Sequence, residues 1–160
     1  MLATEIRKLI IEPALRVTDL WSLESEILVY GSGWVESGYD AIKQHGGPAL
    51  GFFQCEPATF SDVCTWLRYG PNRVLREHLL DACYYVSMPV DPMVLAHNIK
   101  FAALICRIHY LRKSEPLPSL NVENPGLAFA KYHSKNYNCG GKANVERNAL
   151  VFQQIIDGKL

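Results

Sequence analysis

The sequence predicts a mainly α-helical protein that folds as a single domain over residues 1–160. With 160 residues, 49% of them hydrophobic, the chain has the size of one domain and enough apolar side chains for one core. Apolar residues recur at helical spacing in several segments, and residues that favour helix termini flank these segments. Residues 38–56 are the main non-helical stretch, with at most a very small β element around residues 45–56.

The clearest helix is predicted over residues 22–37, where apolar side chains recur every three or four positions. Ser22 precedes them as the expected N-cap, and Gly38 follows where a left-handed residue commonly ends a helix. We therefore expect a helix with two well-defined ends. Its apolar residues are Leu23, Ile27, Tyr30 and Trp34.

Two helices are predicted in the middle of the chain. Thr59 and Asp62 resemble a capping box, which predicts a helix that ends at Gly70. The Asp-Pro pair at 91–92 combines an N-cap residue with a first-turn proline. It predicts the start of a long helix from Met93 to about Arg112.

Two more helices are predicted towards the C-terminus. The Asn-Pro pair at 124–125 starts a short helix in the same way as the pair at 91–92. The last helix is predicted over residues 144–156, because apolar residues recur there at helical spacing.

The composition excludes some classes of function. Sixteen basic and sixteen acidic residues give a formal net charge of zero, which argues against a nucleic-acid-binding protein. No apolar run approaches the ~18 residues of a membrane-spanning helix. The first residues also lack the apolar segment of a secretory signal, which predicts that there is no signal peptide.

The five cysteines predict reduced, mostly buried thiols. Their number is odd, they are widely scattered, and no Cys-x-x-Cys pair occurs. The histidines also lack a metal-binding spacing, so we expect no metal site. The cysteines are Cys55, Cys64, Cys83, Cys106 and Cys139.

Glu36 is the carboxylate with the strongest indication of chemistry. It falls in the last turn of the helix over residues 22–37, where the negative end of the helix dipole disfavours ionisation. Apolar neighbours in the sequence would remove water from the carboxyl and act in the same direction. A carboxylic acid that stays protonated can protonate the leaving oxygen in glycoside cleavage. The alternative is a solvated surface glutamate.

Three further polar residues have both a functional and a structural interpretation. Asn98 interrupts an apolar stripe, so its amide needs a hydrogen-bond partner, which could be only a neighbouring backbone group. Gln54 ends an apolar run and could orient a carboxylate or a sugar N-acetyl group, or simply occupy a turn. Tyr137 lies in a polar loop, where its hydroxyl could bond an active-site acid or anchor the loop.

Four motifs occur in one order along residues 36–140. They are Glu36-Ser37-Gly38-Tyr39-Asp40, then Gly51-Phe52-Phe53-Gln54 with Pro57-Ala58-Thr59, then Asn98-Ile99 through Tyr110-Leu111, and finally Tyr137-Asn138-Cys139-Gly140. Taken together, these motifs resemble those of the lytic transglycosylase and goose-type lysozyme superfamily. The resemblance implies a lysozyme-like domain.

The resemblance also implies a reaction, namely cleavage of the β-1,4 bond between N-acetylmuramic acid and N-acetylglucosamine in peptidoglycan. Glu36 would protonate the glycosidic oxygen and then act as base, without a metal or an organic cofactor. The nearby acids Asp40 and Glu56 would support hydrolysis in place of a 1,6-anhydro product. Tyr137 is expected to hydrogen-bond Glu36. The residues expected to bind or orient the substrate or the acid are Ser37, Gln54, Asn98 and Tyr137.

Residues 47–59 and 137–145 also resemble small proteins of tailed bacteriophages, and this likeness extends over nearly the whole chain. It implies a virion-associated protein, made in the host cytoplasm without a signal peptide, that binds other virion proteins. Such a protein would open the periplasmic cell wall locally for genome ejection, or act as a lysis enzyme exported by a holin. The alternatives are a structural virion protein with little activity and a sugar- or wall-binding module.

Overall fold

The computed structural model describes residues 3–138 and 144–160 and is mainly α-helical, as the sequence predicts. An N-terminal helical stretch contains α1 (Ala3–Ile6), a π-helical segment (Arg7–Ile11) and α2 (Glu12–Val17). The helices that follow are α3 (Leu23–Ser37), α4 (Pro57–Tyr69), α5 (Arg73–Cys83), α6 (Val94–His97), α7 (Ile99–Leu111), α8 (Pro125–Asn136) and α9 (Val145–Ile156). Neither the N-terminal stretch nor α5 was predicted from the sequence.

Helix α3 has the two ends that the sequence predicts. The hydroxyl of Ser22 accepts a hydrogen bond from the backbone N–H of Ser25, and Ser25 returns one to the backbone of Ser22. Gly38 ends the helix with a φ of +61°, a conformation that costs glycine little. The middle of the helix, residues 25–33, is buried. This helix therefore runs through the core and brings its last turn, with Glu36, towards the surface.

The predicted start of α4 is wrong. The helix begins at Pro57, with Glu56 as its N-cap residue, so Thr59 lies inside the first turn and not before it. A proline is favoured at this first position because its missing N–H would have had no helical partner. The predicted end at Gly70 is confirmed.

The long helix predicted from Met93 to Arg112 is divided in two at Asn98. This residue has an extended backbone, with φ −125° and ψ 94°, and separates α6 from α7. Its side-chain oxygen accepts a hydrogen bond of 2.9 Å from the backbone N–H of Phe101, so Asn98 is the N-cap of α7. Every residue of α7 from Phe101 to Tyr110 is buried.

Helices α8 and α9 begin where the sequence predicts, each after an asparagine N-cap. Asn124 accepts a hydrogen bond from Leu127 N–H, and Asn144 accepts one from Arg147 N–H. The two helices pack against each other and against α3. Phe129 from α8 and Phe152 from α9 are fully buried, with ring centroids 5.8 Å apart. This packing brings the end of α8 next to the last turn of α3.

The small β element is confirmed only as two isolated antiparallel bridges, which join Leu50 to Lys43 and to Cys55. Gly51 follows with a φ of +71°, and a Cβ atom there would lie 2.4 Å from the carbonyl oxygen of Leu95. A larger residue at this position would therefore clash with the backbone.

The described cysteines are buried free thiols, as expected, and Cys139 lies outside the described residues, as does Gly140 of the last motif. They are Cys55, Cys64, Cys83 and Cys106. Within residues 3–138 and 144–160, none of the helices has both the length and the hydropathy needed to span a membrane.

Candidate functional site

A groove of about 1270 Å³ lies where the end of α3 meets the loop over residues 41–56. The start of α4, the end of α8 and one face of α9 complete its walls. Both acidic and basic side chains line the groove, with Glu36 and Glu56 facing the same space as Lys43 and Arg147. Five of the predicted site residues line it: Glu36, Ser37, Gln54, Glu56 and Tyr137.

Glu36 occupies the last turn of α3, and its side chain is 15% exposed. One carboxyl oxygen, Oε1, lies 2.9 Å from Nε2 of His133 in α8, whose side chain is fully buried. The other oxygen, Oε2, has no hydrogen-bond partner among the described residues. The carboxyl group therefore connects the protein core to the groove.

Two hydroxyl groups lie behind His133. The hydroxyl of Tyr110 in α7 is 2.7 Å from Nδ1 of His133, and that of Ser32 in α3 is 2.8 Å from the hydroxyl of Tyr110. Burial raises the pKa of Tyr110 well above its usual range, so the phenol keeps its proton. Glu36 is thus the outer end of a buried polar chain that joins α3, α7 and α8.

Ser37 and Tyr137 hold the turn over residues 51–54 against the helices. The Ser37 hydroxyl donates to the carbonyl oxygen of Phe52 at 2.7 Å. The Tyr137 hydroxyl donates to the carbonyl oxygen of Phe53 at 2.6 Å. The expected hydrogen bond from Tyr137 to Glu36 is therefore wrong, because the single phenolic proton is used for the turn and His133 is the residue that bonds Glu36.

Gln54 lies within the same turn, with a left-handed backbone at φ +45°. Its side-chain amide donates to the carbonyl oxygen of Gly51 at 2.8 Å and so closes the turn on itself. Residues other than glycine seldom adopt this conformation, and it often occurs near functional sites. Gln54 is therefore a turn residue that also lines the groove, and its role in orienting a carboxylate or a sugar stays a prediction.

Asn98 and Asp40 lie away from the groove. Asn98 borders a separate pocket of about 360 Å³, and its amide nitrogen donates to the hydroxyl of Tyr85 at 3.2 Å. The structural interpretation of this amide is therefore the correct one. Asp40 is exposed in the turn after α3 and does not line the groove, whereas Glu56 does, from the N-cap position of α4.

His109 also lines the groove and was not predicted as a site residue. Its Nε2–H donates to the carbonyl oxygen of Asn136 at 3.0 Å. Burial lowers the pKa of His109 to about 4, and the positive charges of Lys113 and Arg112 act in the same direction. The ring is therefore neutral near pH ~7. No group of three potential metal ligands occurs among residues 3–138 and 144–160.

His133 was not predicted as a site residue, since the histidines were weighed only for a metal-binding spacing. A weak signal was present in α3, where Ser32 precedes Glu36 by four positions and therefore lies on the same face of the helix. A polar residue inside a buried helix needs a partner, but nothing in the sequence indicates that this partner comes from α8.

Compared with family models, with curated proteins and with solved structures, the chain matches none. The functional interpretation therefore depends on the chemistry of the groove and on the motifs of the sequence.

Proposed function

We propose that this protein cleaves the glycan strands of peptidoglycan, with Glu36 as its general acid and base. The observation that supports this most directly is a largely buried carboxyl group in a groove, with one oxygen bonded to His133 and the other without a hydrogen-bond partner among residues 3–138 and 144–160. A general acid needs this arrangement, because one oxygen fixes the orientation while the other exchanges a proton with the substrate.

The size and charge of the groove favour an extended substrate. Its volume of about 1270 Å³ exceeds the ~1000 Å³ that pockets for small molecules usually reach. Lys43 and Arg147 bring positive charges to the groove, and the peptide stems of peptidoglycan carry carboxylates that these side chains would bind.

In the proposed reaction Glu36 gives a proton to the glycosidic oxygen, and the electron pair of the broken C1–O bond goes to that oxygen. The 6-hydroxyl oxygen of the sugar that contains C1 then bonds to C1. The carboxylate of Glu36 accepts the proton of this hydroxyl group. This step forms a 1,6-anhydro product and restores the acid. A water molecule in place of the 6-hydroxyl would give hydrolysis, with Glu56 as the acid in the groove that would assist it.

The test is digestion of purified bacterial sacculi by the wild type and by Glu36→Gln, followed by mass spectrometry of the released fragments. Glutamine keeps the shape of the side chain but cannot supply the proton. We expect the wild type to release muropeptides lighter by one water molecule than the hydrolytic products, and the variant to release none. Asp40→Asn is the matched control, because it removes a nearby carboxylate outside the groove and should leave cleavage unchanged.

Two results would change the proposal. Hydrolytic products that disappear in Glu36→Gln would identify a lysozyme, and Glu56→Gln would then be the next variant. A folded wild type that releases nothing from several types of cell wall would reject the enzymatic proposal. The structural virion protein would then take its place.

We further propose that the protein assembles with other proteins of a bacteriophage particle and acts during genome ejection. Four large apolar side chains between residues 69 and 90 support an assembled state, because they are at least 78% exposed in the single chain. They are Tyr69, Tyr84, Val86 and Val90. Detection of the protein in purified particles would support this role, and its presence only in the soluble fraction of the lysate would contradict it.

A further inference from the structure

The last acceptor of the buried hydrogen-bond chain behind Glu36 determines which group donates and which accepts at each contact of the chain. Ser32 Oγ lies 2.8 Å from the backbone carbonyl oxygen of Leu28, which can only accept, so Ser32 donates its single proton there. The Tyr110 hydroxyl, 2.8 Å from Ser32 Oγ, must then donate to Ser32. If Ser32 donated to Tyr110 instead, no proton would lie between Ser32 Oγ and the carbonyl oxygen of Leu28. Two oxygens in contact without a proton are unfavourable in a buried site.

The same order of donors and acceptors fixes the tautomer of His133. The single proton of Tyr110 is directed to Ser32, so the contact of 2.7 Å between Tyr110 and Nδ1 of His133 needs a proton on Nδ1. Ser32 Oγ, at 3.3 Å from Nδ1, accepts from the same N–H group. In a neutral ring, Nε2 then carries a lone pair that is directed at Glu36.

The contact of 2.9 Å between Nε2 of His133 and Oε1 of Glu36 therefore contains one proton. That proton resides either on the carboxyl group, which donates to the neutral ring, or on Nε2, which donates to the carboxylate. Without it, a carboxylate would face a lone pair in a buried position, and the two would repel. Glu36 and His133 thus act as one unit in proton exchange.

The other ionisable groups around this pair keep their protons. Burial raises the pKa of Tyr110 and of Cys106, both from α7, and that of Tyr137, whose ring stacks on His133 with centroids 5.3 Å apart. Phe152 from α9 covers another side of the His133 ring. Glu36 and Tyr137 both line the groove, but the hydroxyl proton of Tyr137 is donated to the carbonyl oxygen of Phe53, so Glu36 is the group that would exchange a proton with a substrate.

We propose that His133 is a positioning residue for Glu36: the proton between Nε2 and Oε1 stays in that contact, and the proton that Glu36 gives to the substrate and takes back is a second one, carried by Oε2. This inference rests on the proposed function, because it assigns a partner to the proposed acid. Its chemical content, the proton on Nδ1 of His133, does not depend on activity. The two can therefore be tested separately.

The first test is a long-range ¹⁵N–¹H correlation spectrum of the histidine rings in the full-length protein near neutral pH. We expect a proton on Nδ1 of His133 in the wild type and in Glu36→Gln, since the chain through Tyr110 is intact in both. His133→Gln assigns the signal, and the exposed His45 serves as the reference ring. A neutral His133 ring with its proton on Nε2 in the wild type would overturn the inference.

The second test separates kcat from KM on sacculi. We expect His133→Phe to lower kcat by about 100-fold, because the acid loses its orientation, and to change KM by less than about threefold. His133→Gln, whose amide can still donate to Oε1, should recover part of kcat. Circular dichroism and thermal unfolding establish whether each variant is folded. If His133→Phe does not fold, the kcat of His133→Gln is compared with that of the wild type instead.

A folded His133→Phe variant with the kcat of the wild type would overturn the positioning role. Where that variant does not fold, a His133→Gln variant with the kcat of the wild type would overturn it. If the wild type itself cleaves no cell wall, the proposed function fails and the positioning role fails with it. The assignment of the proton to Nδ1 is then still decided by the spectrum.

Discussion

The imidazole of His133 and the carboxyl group of Glu36 meet at 2.9 Å, although 97 positions separate them in the sequence. The contact joins the last turn of α3 to the last turn of α8. It connects a carboxyl group that lines the groove to a chain of buried hydroxyl groups, and it places the candidate chemistry on helices. Residues held in this way keep their geometry better than residues on loops.

Removal of the Tyr137 hydroxyl should affect stability more than catalysis. Tyr137→Phe leaves the carbonyl oxygen of Phe53 without its donor, so we expect the free energy of unfolding to fall by about 1–2 kcal/mol. The turnover of sacculi should change by less than about threefold. Urea unfolding and sacculus digestion measure the two effects.

The matched control is Tyr132→Phe, which removes a hydroxyl that donates to the carbonyl oxygen of Glu115, away from the groove. A loss of turnover in Tyr137→Phe as large as in Glu36→Gln would show that Tyr137 orients the acid. That result would contradict the hydrogen bond from Tyr137 to Phe53.

Asn98 should behave as a helix cap and not as a site residue. Asn98→Ala removes the acceptor for Phe101 N–H, and we expect it to lower the free energy of unfolding by about 1 kcal/mol. Asn98→Asp keeps a capping oxygen and should retain most of the stability. Both variants should cleave sacculi like the wild type. A loss of kcat in a variant with normal stability would show that Asn98 contributes to the reaction.

His109 should make the protein less stable in acid. Burial lowers the pKa of His109 from 6.5 to about 4 in the folded chain. Between these values the unfolded chain binds a proton here that the folded chain does not, so the free energy of unfolding falls as the pH falls through this window. The full difference corresponds to roughly 3 kcal/mol, as an upper limit.

The measurement is urea unfolding of the wild type and of His109→Gln at several values between about pH 7 and pH 4. Glutamine can still donate to the carbonyl oxygen of Asn136 but does not titrate. We expect a flatter pH dependence in the variant. Parallel curves for the two proteins would show that His109 does not contribute to acid sensitivity.

The buried thiols should resist alkylation until the protein unfolds. Burial raises the pKa of Cys55 to about 12 and that of Cys64 and of Cys83 to about 11. The thiolate is the reactive form, so folded protein should react slowly with iodoacetamide at about pH 8. In a Cys139→Ser background, mass spectrometry should find the remaining thiols labelled only in urea. Rapid labelling of any of them in the folded chain would contradict their burial.

The ion pair between Arg7 and Glu26 should contribute strongly to stability. Glu26 is buried, and its two carboxylate oxygens accept hydrogen bonds of 2.7 Å from Arg7 Nε and from Trp21 Nε1. We expect Glu26→Ala to lower the free energy of unfolding by about 3 kcal/mol, because it leaves a partly buried guanidinium without its partner. Glu77→Ala breaks an exposed pair with Arg73 and should change little. Equal effects of the two variants in urea unfolding would contradict the expectation.

The sequence by itself determined the helical class and several helix ends. Ser22, Gly38, Asn124 and Asn144 end or begin helices as predicted, because a cap depends on hydrogen bonds between residues only a few positions apart. It also placed Glu36 in the last turn of its helix. Where local signals compete, the prediction was wrong, and α4 begins at Pro57 although Thr59 and Asp62 resemble a capping box.

Only the tertiary structure decided which side chains meet. It separated Asn98 from Glu36, directed the Tyr137 hydroxyl to the turn over residues 51–54, and brought His133 to the carboxyl group. The spacing of residues within one helix indicates which of them share a face, because the helical period is fixed. It contains no information on which face of a distant helix packs opposite, since that depends on how all the side chains of the core fit together.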